Sequence, residues 1–279
     1  MPLTQVVNYF NQHLDIFNPR STLSHHAHFH YRDGSISATL LDRQLYPRQR
    51  TVYSLKRLDH EAQEAYTEIR DDSGGQLITD SLYFLAWDRE DVVFVDRFQR
   101  VLHALHHLSQ DPEAKQRLIV DVHWRHIQAV EDSHGSVYEG LLARLGMSPD
   151  RVILRLQGEA LLQHAHARRA AASFHHRGYP LLAADVATDT PEREWRTLHE
   201  HGVRWVSPAP QALASARQGS LSLPRLDEWT RHAKRGGLEV WWPGLDEPGD
   251  LGRVSRFEPD FVSGEWIERV VTEAPAVGS

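Results

Sequence analysis

The fold is decided by RVILRLQGEALLQHAHARRAAASFHHRGYPLLAADVA, residues 151–187. Its two ends are short runs of Val, Ile, Leu and Ala, which are typical of strands buried on both faces of a sheet. The residues between them carry apolar side chains at helical spacing, and this part ends on glycine, as many helices do. The stretch therefore predicts a strand, a helix and a second, parallel strand.

The same alternation continues on both sides of this unit. Further strands are predicted at residues 25–31, 35–45, 117–124, 203–208, 238–243 and 260–266. Helical spacing of apolar residues predicts helices at 95–110, 137–147, 192–202 and 226–237. Eight strands alternating with helices predict an α/β protein in which the strands close into a TIM-like (β/α)8 barrel in a single domain.

The ends of the chain and one internal segment depart from this pattern. Residues 1–20 are predicted to form an N-terminal helical extension, residues 21–270 the barrel, and residues 271–279 a disordered tail. The segment between Tyr46 and Asp96 is predicted to be an insertion or lid, with a polar-faced helix and the loop RDDSGGQLITD at residues 70–80.

Composition excludes several classes of protein. Cysteine is absent, so disulfides, thiolate metal sites and cysteine nucleophiles are excluded. The net charge of −7 argues against binding to a nucleic-acid polymer. No apolar run is long enough to span a membrane, and the first residues lack the pattern of a signal peptide. A cytoplasmic location is therefore expected.

Three runs of the chain resemble EAL domains, the cyclic-di-GMP phosphodiesterases and their inactive relatives, in order and spacing. They are RLIVDVHWRHIQAV (117–130), LLARLGMSPDRVILRLQ (141–157) and RRAAASFHHRGYPLLAADVA (168–187). The resemblance extends over roughly residues 20–267 and implies a barrel of the EAL type. It places FHYRDGSISATLLDR (29–43) at the family's first strand, its turn and its signature Glu-Ala-Leu, where this chain has no glutamate.

The resemblance also implies that the catalytic residues are missing. Hydrolysis in that family needs two divalent metals held by carboxylates and an amide. By the resemblance, Asp121 stands at the metal-binding asparagine, Arg155 at a glutamate and Trp205 at the active-site lysine. Of the family's pair of aspartates, this chain keeps Asp185. The family's late glutamate aligns near Trp241. No catalytic residue, metal or cofactor is therefore expected.

What remains is a vestigial site of eight residues. Arg155 is predicted to be the fixed positive charge between Asp121 and Asp185, in a buried ion pair that replaces the metals. Arg43 is the available counterpart of the family's signature arginine, and His26 of a glutamine that touches the nucleotide. The full set is His26, Arg43, Asp121, His123, Arg155, Asp185, Trp205 and Trp241.

The histidines allow a second interpretation. His26, His28 and His30 alternate along the predicted first strand, and Asp121 and His123 alternate on a later one, which is how amidohydrolase-like barrels collect zinc. Against this, the chain has 19 histidines scattered over helices and loops, so such spacing also arises without function.

Three functions follow from these patterns. The leading hypothesis is a catalytically inactive EAL-like domain that acts as a regulatory or scaffold protein through contacts with an unknown protein partner, in cyclic-di-GMP-related signalling. The alternatives are a sensor that binds cyclic-di-GMP without hydrolysis, and a metal-dependent hydrolase or phosphodiesterase with a remodelled site. Because Trp205 and Arg155 rebuild the site, binding of cyclic-di-GMP is expected to be absent or weaker than micromolar. The sequence also leaves open whether the chain forms a homodimer.

Overall fold

Strands and helices alternate along most of the chain. The computed structural model describes residues 2–78, 80–113 and 115–273. Its strands are β1 (Ala27–Arg32), β2 (Ser35–Leu40), β3 (Arg43–Ser54), β4 (His60–Arg70), β5 (Gln76–Leu77), β6 (Arg117–Asp121), β7 (Val152–Gln157), β8 (Leu181–Ala184), β9 (Val203–Val206), β10 (Glu239–Trp242) and β11 (Phe261–Val262). Its helices are α1 (Leu3–Gln12), α2 (Ser81–Phe84), α3 (Arg89–Gln110), α4 (Trp124–Ala129), α5 (Ser136–Leu145), α6 (Gly158–Gln163), α7 (Ala165–His176), α8 (Glu192–Glu200), α9 (Gln211–Arg217), α10 (Leu223–Arg235), α11 (Asp250–Val254) and α12 (Glu265–Glu273).

The strands form a closed barrel. In the described residues they make one 11-stranded sheet in the order β1-β2-β3-β11-β10-β9-β8-β7-β6-β4-β5, and β3 also pairs with β4. This extra pairing closes the strands from β3 to β4 into a ring of eight. Strands β8 to β11 are parallel neighbours, whereas β3 is antiparallel to β11. The predicted TIM-like barrel is therefore confirmed, with a mixed sheet.

The predicted first strand of the barrel is instead half of a hairpin outside the ring. β1 pairs antiparallel with β2, from Ala27 opposite Leu40 to Arg32 opposite Ser35. Asp33 and Gly34 join the strands with φ of 50° and 79°, as a two-residue turn of type I′ requires. The prediction that residues 25–45 supply the first two ring strands is wrong, because this tight turn folds β2 back along β1.

A helix covers the outer edge of this hairpin. The side-chain amide of Asn11, in α1, donates a hydrogen bond to the carbonyl of Phe29 (2.8 Å). Its amide oxygen accepts one from the N–H of Phe29, also at 2.8 Å. One side chain of α1 therefore satisfies both backbone groups of a residue in β1.

Strands β3 and β4 occupy the segment predicted to be an insertion or lid with a polar-faced helix. That prediction is wrong. The sequence of β4, HEAQEAYTEIR, is rich in helix-forming residues, but Ala65, Thr67 and Ile69 are buried at alternate positions, which is the period of a strand. Strand pairing overrides the weak preference of Glu, Gln and Ala for a helix.

The barrel divides into two compact units. Unit 1 contains the chain up to Gln49, Glu64–Leu154 and His176–Tyr179. Its central element is α3, which packs against α1, α4, α5 and β2. The helix begins where the Asp88 side chain accepts a hydrogen bond from the Asp91 N–H (2.8 Å). Phe94 and Phe98, on α3, pack with Phe17 in the core.

Unit 2 contains Arg50–Gln63, Arg155–His175 and the chain from Pro180. Every residue of β8 is buried, as expected for a strand with both faces covered. Indole rings make much of the core: the centroids of Trp195 and Trp229 are 5.2 Å apart, and those of Trp229 and Trp242 are 5.9 Å apart. The Trp242 indole N–H donates to the hydroxyl of Thr230 (3.0 Å).

A helix lies near each end of the described chain. α1 and a short 3-10 helix at Leu14–Ile16 lie within the predicted N-terminal extension. The predicted tail begins at residue 271, but α12 continues to Glu273, and residues 274–279 lie outside the described residues. No helix in the described part of the chain combines the length and the hydropathy needed to cross a bilayer.

The burial of His103 on α3 predicts a loss of stability in acid. Its Nε2 lies 3.0 Å from the Thr67 hydroxyl, and burial lowers its pKa from 6.5 to about 3. Between these values the unfolded chain binds a proton that the folded chain does not. The free energy of unfolding should therefore fall as the pH falls below 6.5, by up to about 1.4 kcal/mol per pH unit from this side chain.

Urea unfolding from about pH 7.5 down to about pH 4.5 measures this effect, since that range brackets the titration of an unfolded histidine. His103→Gln should reduce the dependence of stability on pH, whereas His176→Gln, at an exposed position of α7, should not. Equal pH dependence in the His103→Gln variant and the unaltered protein would contradict the prediction.

Candidate functional site

Four of the eight predicted site residues lie in unit 1. His26 ends a 3-10 helix (Thr22–His26) and is exposed, so the prediction that it shares a strand with His28 and His30 is wrong. Arg43 begins β3, with its guanidinium 3.0 Å from the Asp42 carboxylate. Asp121 is the exposed last residue of β6. His123 precedes α4 and accepts a hydrogen bond from the Arg125 N–H (3.2 Å).

The remaining strand histidines, His28 and His30, lie side by side on β1. Their ring centroids are 4.8 Å apart. Nε2 of His28 is 3.3 Å from the amide nitrogen of Asn11, and Nε2 of His30 is 3.3 Å from the hydroxyl of Thr39. Partial burial is the largest cause that lowers the pKa of His30, and the neighbouring His28 lowers it further. Among residues 2–78, 80–113 and 115–273, no three His, Asp or Glu side chains are grouped to hold a metal ion.

His123 adjoins a buried polar cluster that the sequence patterns did not indicate. The carboxylate of Asp96, on α3, accepts hydrogen bonds from the His123 N–H (2.9 Å) and the Tyr83 hydroxyl (3.3 Å). It also pairs with the guanidinium of Arg100 and lies 3.3 Å from Nδ1 of His126. Burial alone would raise the pKa of Asp96, but the Arg100 guanidinium holds it below its ordinary value.

Burial keeps His126, in the same cluster, neutral. Burial lowers the pKa of His126 to about 3, although Asp96 opposes that shift. The cluster therefore contains one charge pair, Asp96 with Arg100, and a neutral imidazole. The spacing of four residues between Asp96 and Arg100 resembles an ordinary surface pair on a helix. Nothing in the local sequence indicates that this pair is buried.

In unit 2, Arg155 and Asp185 come together. Arg155 is the fourth residue of β7, and Asp185 directly follows β8. The closest nitrogen and oxygen of the two side chains are 4.0 Å apart, and the side chains remain 23% and 46% exposed. Asp185 has a φ of 55°, in the left-handed region that few non-glycine residues adopt. The prediction of a buried pair is wrong, because both groups keep contact with water.

The two tryptophans of the predicted site are part of the core of unit 2. Trp205, on β9, is fully buried and stacks on Phe261 with ring centroids 4.1 Å apart. Trp241, on β10, is also buried, and its indole N–H donates to the hydroxyl of Ser263 (3.0 Å). These indoles are packed against other side chains and offer little surface to a ligand.

None of the three glutamates on β4 was predicted as a site residue. The resemblance implied the position of the signature glutamate on β2, but β2 lies outside the ring and β4 lies in it. Glu64 is buried, and Glu68 lies 3.2 Å from the guanidinium of Arg48. The alternation of Ala65, Thr67 and Ile69 with Glu68 and Arg70 is the sequence signal that could have identified this strand.

Solved structures share this arrangement of strands and helices. The EAL domain of FimX from Pseudomonas aeruginosa, bound to c-di-GMP, matches with a TM-score of 0.64 at 10% sequence identity, over 95% of this chain and 94% of that one. The chain has the fold of EAL domains. No family model matches the sequence, and no curated protein matches it.

Two further EAL structures support this assignment of the fold. The phosphodiesterase PaMucR, in a c-di-GMP complex, matches with a TM-score of 0.62 at 12% identity, over 79% of this chain and 89% of that one. The EAL-like domain protein YdiV matches with a TM-score of 0.58 at 12% identity, over 82% and 96% of the two chains. The expected EAL-type barrel is therefore confirmed.

Substitutions at Trp205 and Arg155 should have different effects on stability. Trp205→Ala removes a fully buried indole and should lower the free energy of unfolding by about 3–5 kcal/mol. Arg155→Ala breaks a half-solvated ion pair and should cost no more than about 1 kcal/mol. Urea unfolding followed by circular dichroism measures both, with Trp205→Phe as the control that keeps an aromatic ring. A cost for Arg155→Ala as large as that for Trp205→Ala would show that the ion pair supports the fold.

Proposed function

We propose that this chain is a non-catalytic EAL-like domain that regulates other proteins by direct contact, in bacterial cyclic-di-GMP signalling in the cytoplasm. Its fold supports this proposal, since the solved structures that resemble it include EAL domains with bound c-di-GMP and the EAL-like domain protein YdiV. The observation that carries the proposal is the packing of Trp205 and Trp241 in unit 2, at positions where the resemblance implies a lysine and a glutamate.

These two positions supply no chemistry for phosphodiester hydrolysis. A lysine or glutamate can bind a phosphate or a metal, whereas an indole offers one N–H donor and no charge. The Trp241 N–H is already engaged by Ser263. Trp205 is stacked on Phe261 and buried. Restoring charged side chains at either position would require the core of unit 2 to repack.

The charges nearby also disfavour a pair of metal ions. Two-metal hydrolysis needs several carboxylates around two divalent cations. In unit 2, Asp185 is the carboxylate left from the implied set, and the Arg155 guanidinium lies 4.0 Å from it. A fixed positive charge at that distance compensates the carboxylate and repels a divalent cation. Arg155 therefore takes the place of a metal.

The proposal predicts no hydrolysis of cyclic-di-GMP. With magnesium or manganese present, the protein should release no linear dinucleotide, while the PaMucR phosphodiesterase serves as the positive control under the same conditions. Isothermal titration calorimetry should show no binding of cyclic-di-GMP, or binding weaker than micromolar.

Two outcomes would contradict this proposal. Metal-dependent turnover that is lost in Asp185→Ala or Glu64→Gln would identify an enzyme with a remodelled site. Saturable binding of cyclic-di-GMP without turnover would identify a sensor. In either case regulation by protein contact alone would be wrong.

Arg155→Glu should create weak binding of manganese. The substitution removes the cation beside Asp185 and adds a second carboxylate, so a divalent ion would meet two negative groups. Manganese should raise the melting temperature of this variant but not of the unaltered protein, and hydrolysis should remain absent. Arg155→Gln is the matched control, since it removes the cation without adding a carboxylate. An equal effect of manganese on both variants would contradict the role given to Arg155.

A further inference from the structure

Three apolar side chains in unit 1 are unusually exposed. Trp87 is 91% exposed, Phe84 75% and Ile78 68%. Among the described residues, the next large apolar side chains are only about 40% exposed, such as Leu58 at 42% and Leu41 at 41%. The three lie within ten residues of one another, around α2. We refer to Ile78, Phe84 and Trp87 as the 78–87 face.

The backbone beside Phe84 and Trp87 is held by hydrogen bonds. The Arg125 guanidinium donates to the carbonyls of Tyr83 (2.5 Å) and Ala86 (3.1 Å). The Tyr83 ring stacks on His123 at 3.7 Å between centroids, and its hydroxyl donates to Asp96. Phe84 and Trp87 therefore project from a segment whose neighbouring residues are anchored in unit 1.

This combination is typical of a binding surface. A tryptophan can bury about 150–250 Å² of surface, so leaving one almost fully in water forgoes a large hydrophobic contribution. Aromatic side chains are enriched among residues that dominate protein interfaces. Because the segment is anchored before any partner arrives, little conformational entropy is lost on binding.

Acidic residues flank Phe84 and Trp87 along the chain. Asp80 precedes α2, Asp88 directly follows Trp87, and Glu90 lies in the first turn of α3. The nearby cation Arg89 pairs with Glu131 at 3.4 Å and donates to the Ala129 carbonyl. A second cation, Arg125, contacts the Tyr83 and Ala86 carbonyls, but the three flanking carboxylates outnumber it, so the charge along this segment is negative.

We propose that the 78–87 face binds a protein segment that presents Lys or Arg beside apolar side chains. The apolar groups would pack on Phe84 and Trp87, and the basic groups would pair with Asp80 and Asp88. A second copy of this chain would place identical acidic residues opposite one another in a two-fold contact. The same negative charge disfavours nucleic acid and anionic membranes. The inference rests on the proposed function in one respect, because it names the protein contact through which the domain would act.

Labelled peptides test the proposal directly. The probe is an amphipathic helical peptide with Lys on one face and Leu on the other, compared with an analogue carrying Glu for each Lys and another carrying Ser for each Leu. Fluorescence anisotropy should show that the Lys/Leu peptide binds at least about tenfold more tightly than either analogue. Added salt should weaken this binding.

Substitutions locate the binding surface. Phe84→Ser and Trp87→Ser should each weaken binding of the Lys/Leu peptide by about tenfold or more. Val137→Ser is the matched control, since it removes an exposed apolar side chain from α5, and should leave binding unchanged. Asp80→Lys should weaken binding and reduce its salt dependence. Circular dichroism checks that each variant is folded.

The fluorescence of Trp87 gives an independent measurement. Its signal is the difference between the unaltered protein and Trp87→Phe. Relative to free N-acetyltryptophanamide, caesium should quench this signal more strongly than iodide does, because the surroundings are acidic. The bound Lys/Leu peptide should protect it from both.

Several results would overturn the proposal that the 78–87 face binds a basic, apolar protein segment. They are equal binding of the Glu analogue, binding that survives both Phe84→Ser and Trp87→Ser, or a dimer in analytical ultracentrifugation that Trp87→Ser abolishes. Hydrolysis of cyclic-di-GMP would instead contradict the proposed function and leave the peptide result intact. Absence of both hydrolysis and peptide binding would overturn this inference alone.

Discussion

Pairing between β3 and β4 is the constraint on which the barrel depends. It joins the first and last of the eight consecutive strands that make up the ring. Each backbone N–H and C=O in these strands needs a partner when it is buried, and closure supplies one. This requirement explains why HEAQEAYTEIR is extended despite its composition. A helix would satisfy its own backbone but would leave the neighbouring strands open.

The parts of the fold that the sequence predicts well are those in which burial is complete. The runs VIL (152–154) and LLAA (181–184) are entirely apolar because every residue of both is buried, and such short continuous runs are typical of strands with both faces covered. The apolar stripe of α3 predicts a helix from residue 95, but the helix begins at Arg89 after the Asp88 cap. β4 was missed because strand pairing with distant residues, rather than local preference, determines its conformation.

The candidate site is less predictable because its character depends on tertiary partners. Trp241 could equally be a binding residue or a core residue on sequence alone. It is a core residue because Ser263, 22 positions later, accepts its N–H. Asp96 and Arg100 have the spacing of a surface pair and are buried because α3 packs against α4 and α5. Arg155 shows the reverse case, since a position on a barrel strand suggested burial and the side chain remains partly solvated.

The two hydrogen bonds between the Asn11 side chain and the Phe29 backbone have a consequence for solubility. β1 lies at the end of the sheet order, so its outer backbone groups could template a strand from another molecule. The Asn11 amide imitates the backbone of such a strand, with one donor and one acceptor directed at the same residue. An incoming chain must displace α1 before it can pair with Phe29. α1 therefore blocks the edge-to-edge strand pairing through which fibrils grow.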